Sequence, residues 1–254
     1  MSEQNKVKNQ LLEAGIENAD IEARLLCERF SGEALADAVA RRMTHYPLQY
    51  LIGEWGFWKE SYEVSEHCLV PRPDTEHLVE QAIKRLPQGA KFLDLCTGSG
   101  CVAVSVLASR TDTEAVGVDL FEPTLALAAR NAEKNGVAAR LTLRLEDVLK
   151  GADWDVQFDA ILSNPPYIRR AVMAELSEEV CHEPYAALCG GEDGLDFYRA
   201  ILEKWSHFLK PNGFFLFEIG YDQAQDLKDL AAQYGRAATF FRDYGGNDRV
   251  VLLQ

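Results

Sequence analysis

Apolar residues recur along this 254-residue chain in two different rhythms. Over the first 45 or so residues, Leu11, Leu12, Ile16, Ile21, Leu25, Leu26 and Phe30 fall at roughly helical spacing, which predicts short amphipathic helices. Asn18 and Asp20 are cap candidates for the second helix, and 34–43 reads as a third. Helices this short bury little surface alone, so they form a small bundle or pack on the next part of the chain. From Lys91 onward, short apolar runs alternate with helical stretches. Strands are expected at 91–95, 114–119, 140–145, 158–163 and 213–219, with helices at 102–108, 123–135, 195–209 and 223–233. This alternation predicts a parallel, doubly wound sheet with helices on both faces. Two last strands, near 238–242 and 249–253, stand too close for a crossover helix and should pair antiparallel at the edge.

Between these regions the chain breaks at Tyr46-Pro47 and runs through an aromatic, glycine-punctuated stretch at 50–58. Residues 62–65 and 68–70 read as the two short strands of a hairpin. Pro71-Arg72-Pro73 then stops that element, and Asp74 is an N-cap candidate for a helix to about Leu86. The expected organisation is a helical domain at 1–46, a connecting hairpin at 47–73 and an α/β domain at 74–254.

Composition narrows the class. The net charge is −14, and no run of Lys or Arg appears beyond pairs such as Arg41-Arg42 and Arg169-Arg170. A chain that grips a phosphate backbone usually carries a basic face, so nucleic acid is disfavoured and a basic protein partner fits better. The six cysteines are scattered with no C-x-x-C pair, and the histidines are equally dispersed, so neither disulfides nor a metal centre is expected. No apolar stretch is long enough to span a bilayer, and the polar start lacks a signal-peptide core. The expectation is a cytoplasmic monomer with no membrane contact.

Two motifs carry chemistry. Asp94-Leu95-Cys96-Thr97-Gly98-Ser99-Gly100 joins a strand to a helix, and its glycines let the backbone approach a ligand closely. Gly98-x-Gly100-x-x-Ala103 also satisfies a loose dinucleotide fingerprint. Asp94, however, suits a cationic amino group better than a pyrophosphate. Asp119 ends the next strand, where an acid accepts hydrogen bonds from ribose hydroxyls. Asp147 and Val148 follow the third strand, placed to receive an adenine amino group and cover its ring. These features indicate a nucleoside without choosing between NAD and S-adenosyl-L-methionine.

The second motif, Asn164-Pro165-Pro166-Tyr167, ends the strand at 158–163. Each Pro fixes its own φ and lacks an N–H, so the strand must stop in a stiff corner. Such a corner directs carbonyls and the Asn side chain outward at the sheet edge where open α/β folds bind ligands. A planar NH2 group suits these acceptors, with Tyr167 placed to stack on it. The competing classes are a base methyltransferase acting on adenine or guanine, a dinucleotide-dependent oxidoreductase, and a non-catalytic scaffold. The oxidoreductase leaves Asn164 to Tyr167 unused.

With these motifs in place, the chain resembles the release-factor glutamine methyltransferases, known as PrmC or HemK. The resemblance rests on Pro47-Leu48-Gln49-Tyr50-Leu51-Ile52-Gly53-Glu54-Trp55-Gly56-Phe57, Val70-Pro71-Arg72-Pro73-Asp74-Thr75-Glu76 and the stretch from Asp94 to Gly100. It continues in Ser163-Asn164-Pro165-Pro166-Tyr167-Ile168, Glu183-Pro184, Gly190-Gly191-Glu192-Asp193-Gly194-Leu195-Asp196-Phe197-Tyr198-Arg199, Leu216-Phe217-Glu218-Ile219-Gly220 and Asp248-Arg249-Val250. Cys96 stands where the family usually has Gly, and Asp74 where it usually has Glu.

The resemblance implies a Rossmann-like, seven-stranded methyltransferase fold, mostly parallel with an antiparallel edge strand, after a small helical domain. It implies S-adenosyl-L-methionine as methyl donor, S-adenosyl-L-homocysteine as product, and the glutamine of the Gly-Gly-Gln tip of peptide chain release factors as substrate. The helical domain would help hold the release factor. Asp94, Cys96, Thr97, Gly98, Ser99, Gly100, Asp119, Asp147, Val148 and Asn164 are then the expected cofactor residues. Asn164, Pro165, Pro166 and Tyr167 are expected at the substrate, with Asn164, Pro165 and Tyr167 in the catalytic role. No side-chain base is expected, since the product proton is acidic enough to leave after transfer.

Overall fold

The computed structural model describes residues 2–254. Three helices open it, α1 (Glu3–Glu13), α2 (Ala19–Arg29) and α3 (Gly32–Arg42), and a short α4 (Leu48–Ile52) comes after Pro47. Val7, Leu11, Ala23, Leu26, Leu35, Val39 and Leu48 close into one core, with Leu51, Ile52 and Trp55 packed on it. This helical core therefore reaches beyond residue 46 into the connecting segment. Arg42 is buried within the unit and bonds Glu22 through two nitrogens, at 2.6 and 3.1 Å. It also donates to Glu179 at 2.8 Å, tying the helices to a distant loop.

The hairpin differs from its expected position. It is formed by β1 (Glu54–Phe57) and β2 (Glu60–Glu63), paired antiparallel with Phe57 opposite Glu60. Its two-residue turn is Trp58-Lys59, and Trp58 takes the positive φ of 56° that such turns require. Nothing in a Trp-Lys pair advertises that turn, so the aromatic stretch hid the first strand. Residues 68–70 form no strand, because the Val70 N–H is taken by the Glu183 carboxylate at 3.0 Å. Asp74 caps no helix either. It lies in a 3-10 turn ahead of α5 (Glu76–Arg85), and its carboxylate pairs with Arg249 at 3.2 Å.

The remaining elements keep the expected alternation: β3 (Lys91–Leu95), α6 (Cys101–Ser109), β4 (Glu114–Asp119), α7 (Glu122–Lys134), β5 (Leu141–Leu145) and β6 (Phe158–Ser163). After a long loop containing α8 (Tyr185–Leu188) come α9 (Asp196–Lys204), β7 (Leu209–Glu218), α10 (Ala224–Gln233), β8 (Ala238–Arg242) and β9 (Asp248–Leu253). The sheet has seven strands in the order β5-β4-β3-β6-β7-β9-β8. Strands β5 to β7 in that order run parallel, and β9 pairs antiparallel with both β7 and β8. The reversed strand thus lies one place in from the edge.

Alternate side chains of each central strand enter opposite cores. Phe92, Ala160, Leu162, Leu216 and Leu252 meet α5, α6 and the hairpin. Leu93, Leu95, Ile161, Phe215, Phe217 and Val251 meet Tyr198, Trp205 and Leu227 of the other layer. Burial on both faces is why these strands read as continuous apolar runs rather than alternating ones. Because β4 lies on one side of β3 and β6 on the other, the chain reverses its winding between β3 and β6, and a crevice opens at their C-terminal ends.

Candidate active site

That crevice is a cleft of about 470 Å³. Its lining includes Cys96, Thr97, Gly98, Ser99, Asp119, Asp147, Val148, Asn164 and Pro166, so the structure gathers most of the sequence-selected residues from four strand ends. Leu120, Phe121 and Leu149 add an apolar wall beside Val148. The size and the mix of an apolar wall with a few convergent polar groups match a nucleoside-sized site.

The loop after β3 is shaped by positive φ angles at Cys96 (60°), Gly98 (56°) and Gly100 (80°). Gly98 has open space where a Cβ would stand, leaving the main chain exposed to a ligand. Cys96 takes this backbone without being glycine, at a steric cost on the order of 1 kcal/mol. Asp94 is turned beneath the loop and does not line the cleft. Its Oδ2 accepts from Thr97 Oγ1 at 2.6 Å and from the Ala103 N–H at 3.3 Å, bracing the turn against the start of α6. Burial raises its pKa to about 7, against the opposing pull of those bonds.

Asp119 holds the loop from the neighbouring strand. Its Oδ2 accepts from the Gly98 N–H at 3.0 Å and its Oδ1 from the Phe121 N–H at 3.3 Å. Burial raises its pKa above the ordinary carboxylate value, and the N–H bonds counter that. Each oxygen keeps a further lone pair, so the carboxylate can still accept from a ligand hydroxyl. Asp147 is held by the Leu149 N–H at 3.0 Å and by Lys150 at 3.2 Å. Asn131 was not visible as a site residue in the sequence. It is fully buried on α7, donates to the Ser99 carbonyl at 2.9 Å and exchanges bonds with Glu63 at 2.7 and 3.0 Å. A lone helical Asn offers no signal for such a link between hairpin and glycine loop.

On the other side of β3, Asn164 leaves β6 with its Nδ2 donating to Thr75 Oγ1 at 3.0 Å. The opposite end of the amide, the acceptor oxygen, is then free for the cleft. Pro165 and Pro166 are buried, and Pro166 lines the cleft while Pro165 does not. Tyr167 is not brought to the cleft with them. Its ring packs on the second core and its hydroxyl donates to Glu218 Oε1 at 3.3 Å. Glu218, at the end of β7, is fully enclosed, and burial raises its pKa to about 7. Thr75 and Glu218 were read in the sequence only as parts of longer motifs.

Residues 73–192, which hold the loop, Asp119 and the Asn164 corner, match the family model described as the methyltransferase small domain. A release factor glutamine methyltransferase of Geobacter sulfurreducens is 39% identical over 265 residues, covering 96% of this chain and 92% of that protein. One from Caulobacter vibrioides is 37% identical over 268 residues, with the same 96% and 92% coverage. Among solved structures, a ribosomal protein L11 methylase from Lactobacillus delbrueckii subsp. bulgaricus aligns with a TM-score of 0.54 at 19% identity, over 72% of this chain and 79% of that one. That likeness is one of fold. The two sequence relatives extend across both the helical unit and the cleft, and they show that this chain belongs to the release factor glutamine methyltransferase family.

Proposed function

We propose that this protein methylates the side-chain amide nitrogen of the glutamine in the Gly-Gly-Gln tip of peptide chain release factors, with S-adenosyl-L-methionine as donor. The observation that carries the chemistry is the orientation of Asn164, whose nitrogen is bonded to Thr75 and whose oxygen is left to accept. The cleft suits the donor: exposed backbone at Gly98, a carboxylate at Asp119 for the ribose, and Asp147 with Val148 for the adenine. The loop from Cys96 to Gly100 would hold the remainder, with Asp94 acting through the loop it braces. When bound, S-adenosyl-L-methionine supplies a sulfonium methyl and leaves as S-adenosyl-L-homocysteine.

The residues of this chain orient and stabilise. A glutamine amide nitrogen is a poor nucleophile because its lone pair is delocalised into the carbonyl. Asn164 Oδ1 accepts hydrogen bonds from the substrate NH2 and aims the nitrogen, while Pro165, outside the cleft lining, stiffens the corner behind it. Those bonds strengthen as positive charge develops on nitrogen, which lowers the barrier rather than merely the binding energy. The buried prolines keep the acceptor fixed before substrate arrives, so little reorganisation is needed. The helical unit, whose core runs from α1 into the segment after Pro47, holds the protein substrate, and the hairpin that follows packs against the catalytic sheet. The enzyme works as a cytoplasmic monomer.

The test incubates labelled S-adenosyl-L-methionine with intact release factor, its Gln→Ala tip variant, a short Gly-Gly-Gln peptide, and duplex DNA or RNA, then maps the label by mass. Label on the tip glutamine is expected, with little on the peptide, which lacks remote contacts to offset its ordering. Label in the Ala variant, or preferentially in nucleic acid, would replace this reading with the base methyltransferase.

A further inference from the structure

One loop touches both the helical unit and the cleft. It leaves the Asn-Pro-Pro-Tyr corner at Ile168 and returns to it at Gly190, whose N–H donates to the Ile168 carbonyl at 2.9 Å. Between those points the chain carries Glu179, His182 and Glu183, then Pro184 and α8. Pro184, Tyr185, Ala186, Ala187 and Cys189 line the cleft. The Leu188 carbonyl accepts from the Ile168 N–H at 2.9 Å, so this wall of the cleft is pinned to the corner that carries Asn164.

The helical unit holds the same loop from the other side. Arg42 donates to both oxygens of Glu22 and, from Nη1, to the Tyr46 carbonyl at 3.2 Å. One carboxylate is enough to neutralise this buried guanidinium, yet its Nη2 also donates to Glu179 at 2.8 Å, across 137 residues of sequence. His182 Nε2 donates to the Thr44 carbonyl, just after α3, at 3.0 Å, and its ring meets the Tyr46 ring edge-on with centroids 5.4 Å apart. Glu183 follows at once. Its side chain is 1% exposed and accepts from the Val70 N–H at 3.0 Å and from Arg72, which also lines the cleft. The three anchors therefore fall between 179 and 183, immediately before the cleft wall begins at Pro184.

We propose that residues 179–183 form a strap through which the helical unit positions the cleft wall beside Asn164. Arg42 and the Thr44 carbonyl hold one end, and Val70 with Arg72 holds the other. So short a segment, fixed at both ends, keeps few conformations, and the wall that continues from it is ordered before substrate arrives. The helical unit then serves twice, gripping the protein substrate and setting the wall against which the glutamine side chain enters. Glu179 and His182 are positioning residues, acting through the wall without touching substrate. A unit that only gripped the release factor would change KM alone, whereas one that also orders the wall changes kcat at saturating substrate. The catalytic meaning of the strap rests on the methyltransferase reading above; the ordering of the wall does not.

The test compares Glu179→Ala, Glu179→Gln, His182→Phe and the Glu179→Ala/His182→Phe pair in the full chain. Each is measured for kcat and KM on release factor, calorimetric cofactor affinity, unfolding midpoint and amide hydrogen exchange. All leave Glu22 to neutralise Arg42, so the helical core keeps its ion pair. Glu175→Ala is the control, removing an exposed acid from the same loop without touching an anchor. Glu179→Ala is expected to lower kcat about three- to tenfold and the pair about ten- to a hundredfold, with cofactor affinity within about threefold. Glu179→Gln keeps an acceptor for Arg42 and should recover most of the loss. The Cys189 and Gly190 amides, bonded to Tyr185 and Ile168, should exchange faster in the pair, with β3 and β4 unchanged. If the pair fails to fold, Glu179→Ala decides by the same readouts. Wild-type kcat in the pair, a loss confined to KM, equal losses in Glu179→Ala and Glu179→Gln or in Glu175→Ala, or unchanged exchange at Cys189 and Gly190 would each overturn the strap. A wild-type enzyme that leaves release factor unmethylated overturns the functional reading, and the exchange measurement, which needs no substrate, still decides whether the strap orders the wall.

Discussion

Replacing Gly190 by alanine should damage catalysis from outside the cofactor contacts. Gly190 lies just after α8, against the backbone of the Asn-Pro-Pro-Tyr corner. Its N–H donates to the Ile168 carbonyl at 2.9 Å, and the Ile168 N–H donates back to the Leu188 carbonyl at 2.9 Å. A Cβ at this position would stand 2.6 Å from the Pro166 carbonyl oxygen and 2.7 Å from Tyr167 Cα, with the Gly194 carbonyl oxygen at 3.0 Å. All three neighbours are main chain, so no rotamer change relieves the contact. Ordinary contact begins at 3.4 Å, so the corner must retreat by roughly 0.8 Å or the loop must separate from it. Asn164 sits two residues from the point of collision and would move with it. A displacement near 1 Å at a reacting group costs about a hundredfold in rate, so kcat should fall about ten- to a hundredfold. Overpacking a tight contact also costs about 1–3 kcal/mol of stability. The assay is methyl transfer to release factor under saturating cofactor, with denaturant unfolding in parallel. Gly56→Ala is the control, because nothing lies within 4 Å of its Cβ position. A Gly190→Ala enzyme with wild-type kcat and unfolding midpoint would refute the claim that this close approach sets the corner.

Asp119→Ala removes the carboxylate assigned to the ribose and the partner of the Gly98 N–H, so cofactor affinity should fall about ten- to a hundredfold. Unchanged affinity in calorimetry would mean that the nucleoside lies elsewhere, and binding of NADH would favour the oxidoreductase. Arg42→Met leaves Glu22 buried without its bidentate partner and releases Glu179, which should destabilise the helical unit by about 3–5 kcal/mol. A wild-type unfolding profile would count against that ion cluster, and adding Glu22→Gln should recover much of the loss. Asp94 and Glu218 both titrate near 7 when folded, well above their ordinary values of 3.8 and 4.5. The folded chain then binds more protons than the unfolded one between those values and 7, so their contribution makes stability fall as pH rises through that window. Glu218→Gln should flatten the fall between pH 5 and 8 by roughly 2–3 kcal/mol, and an unchanged slope would show that this carboxyl does not titrate there.

What the sequence determined by itself was set by local rules. Largely apolar runs fixed β3, β4 and β6 to their bounds, because strands buried on both faces carry few polar positions between their ends. The glycines at 98 and 100 marked a loop that needs positive φ, and the two prolines marked a corner no ladder can cross. Strand–helix alternation then placed Asp119 and Asn164 at one edge of one sheet, since ligands gather at the C-terminal ends of parallel strands. Tertiary structure alone decided the rest. The insertion of β9 between β7 and β8 depends on pairing across the intervening α10, and the turn at Trp58 is held by hydrogen bonds to Glu76 and Ser109. Asp74 looks like a helix cap until Arg249, 175 residues later, takes its carboxylate. Thr75 looks like an ordinary helix-start residue until the end of β6 brings the Asn164 amide onto its hydroxyl. The motifs are carried by backbone geometry, which neighbouring residues dictate. The direction in which a side chain donates or accepts is set by whatever the completed fold packs against it.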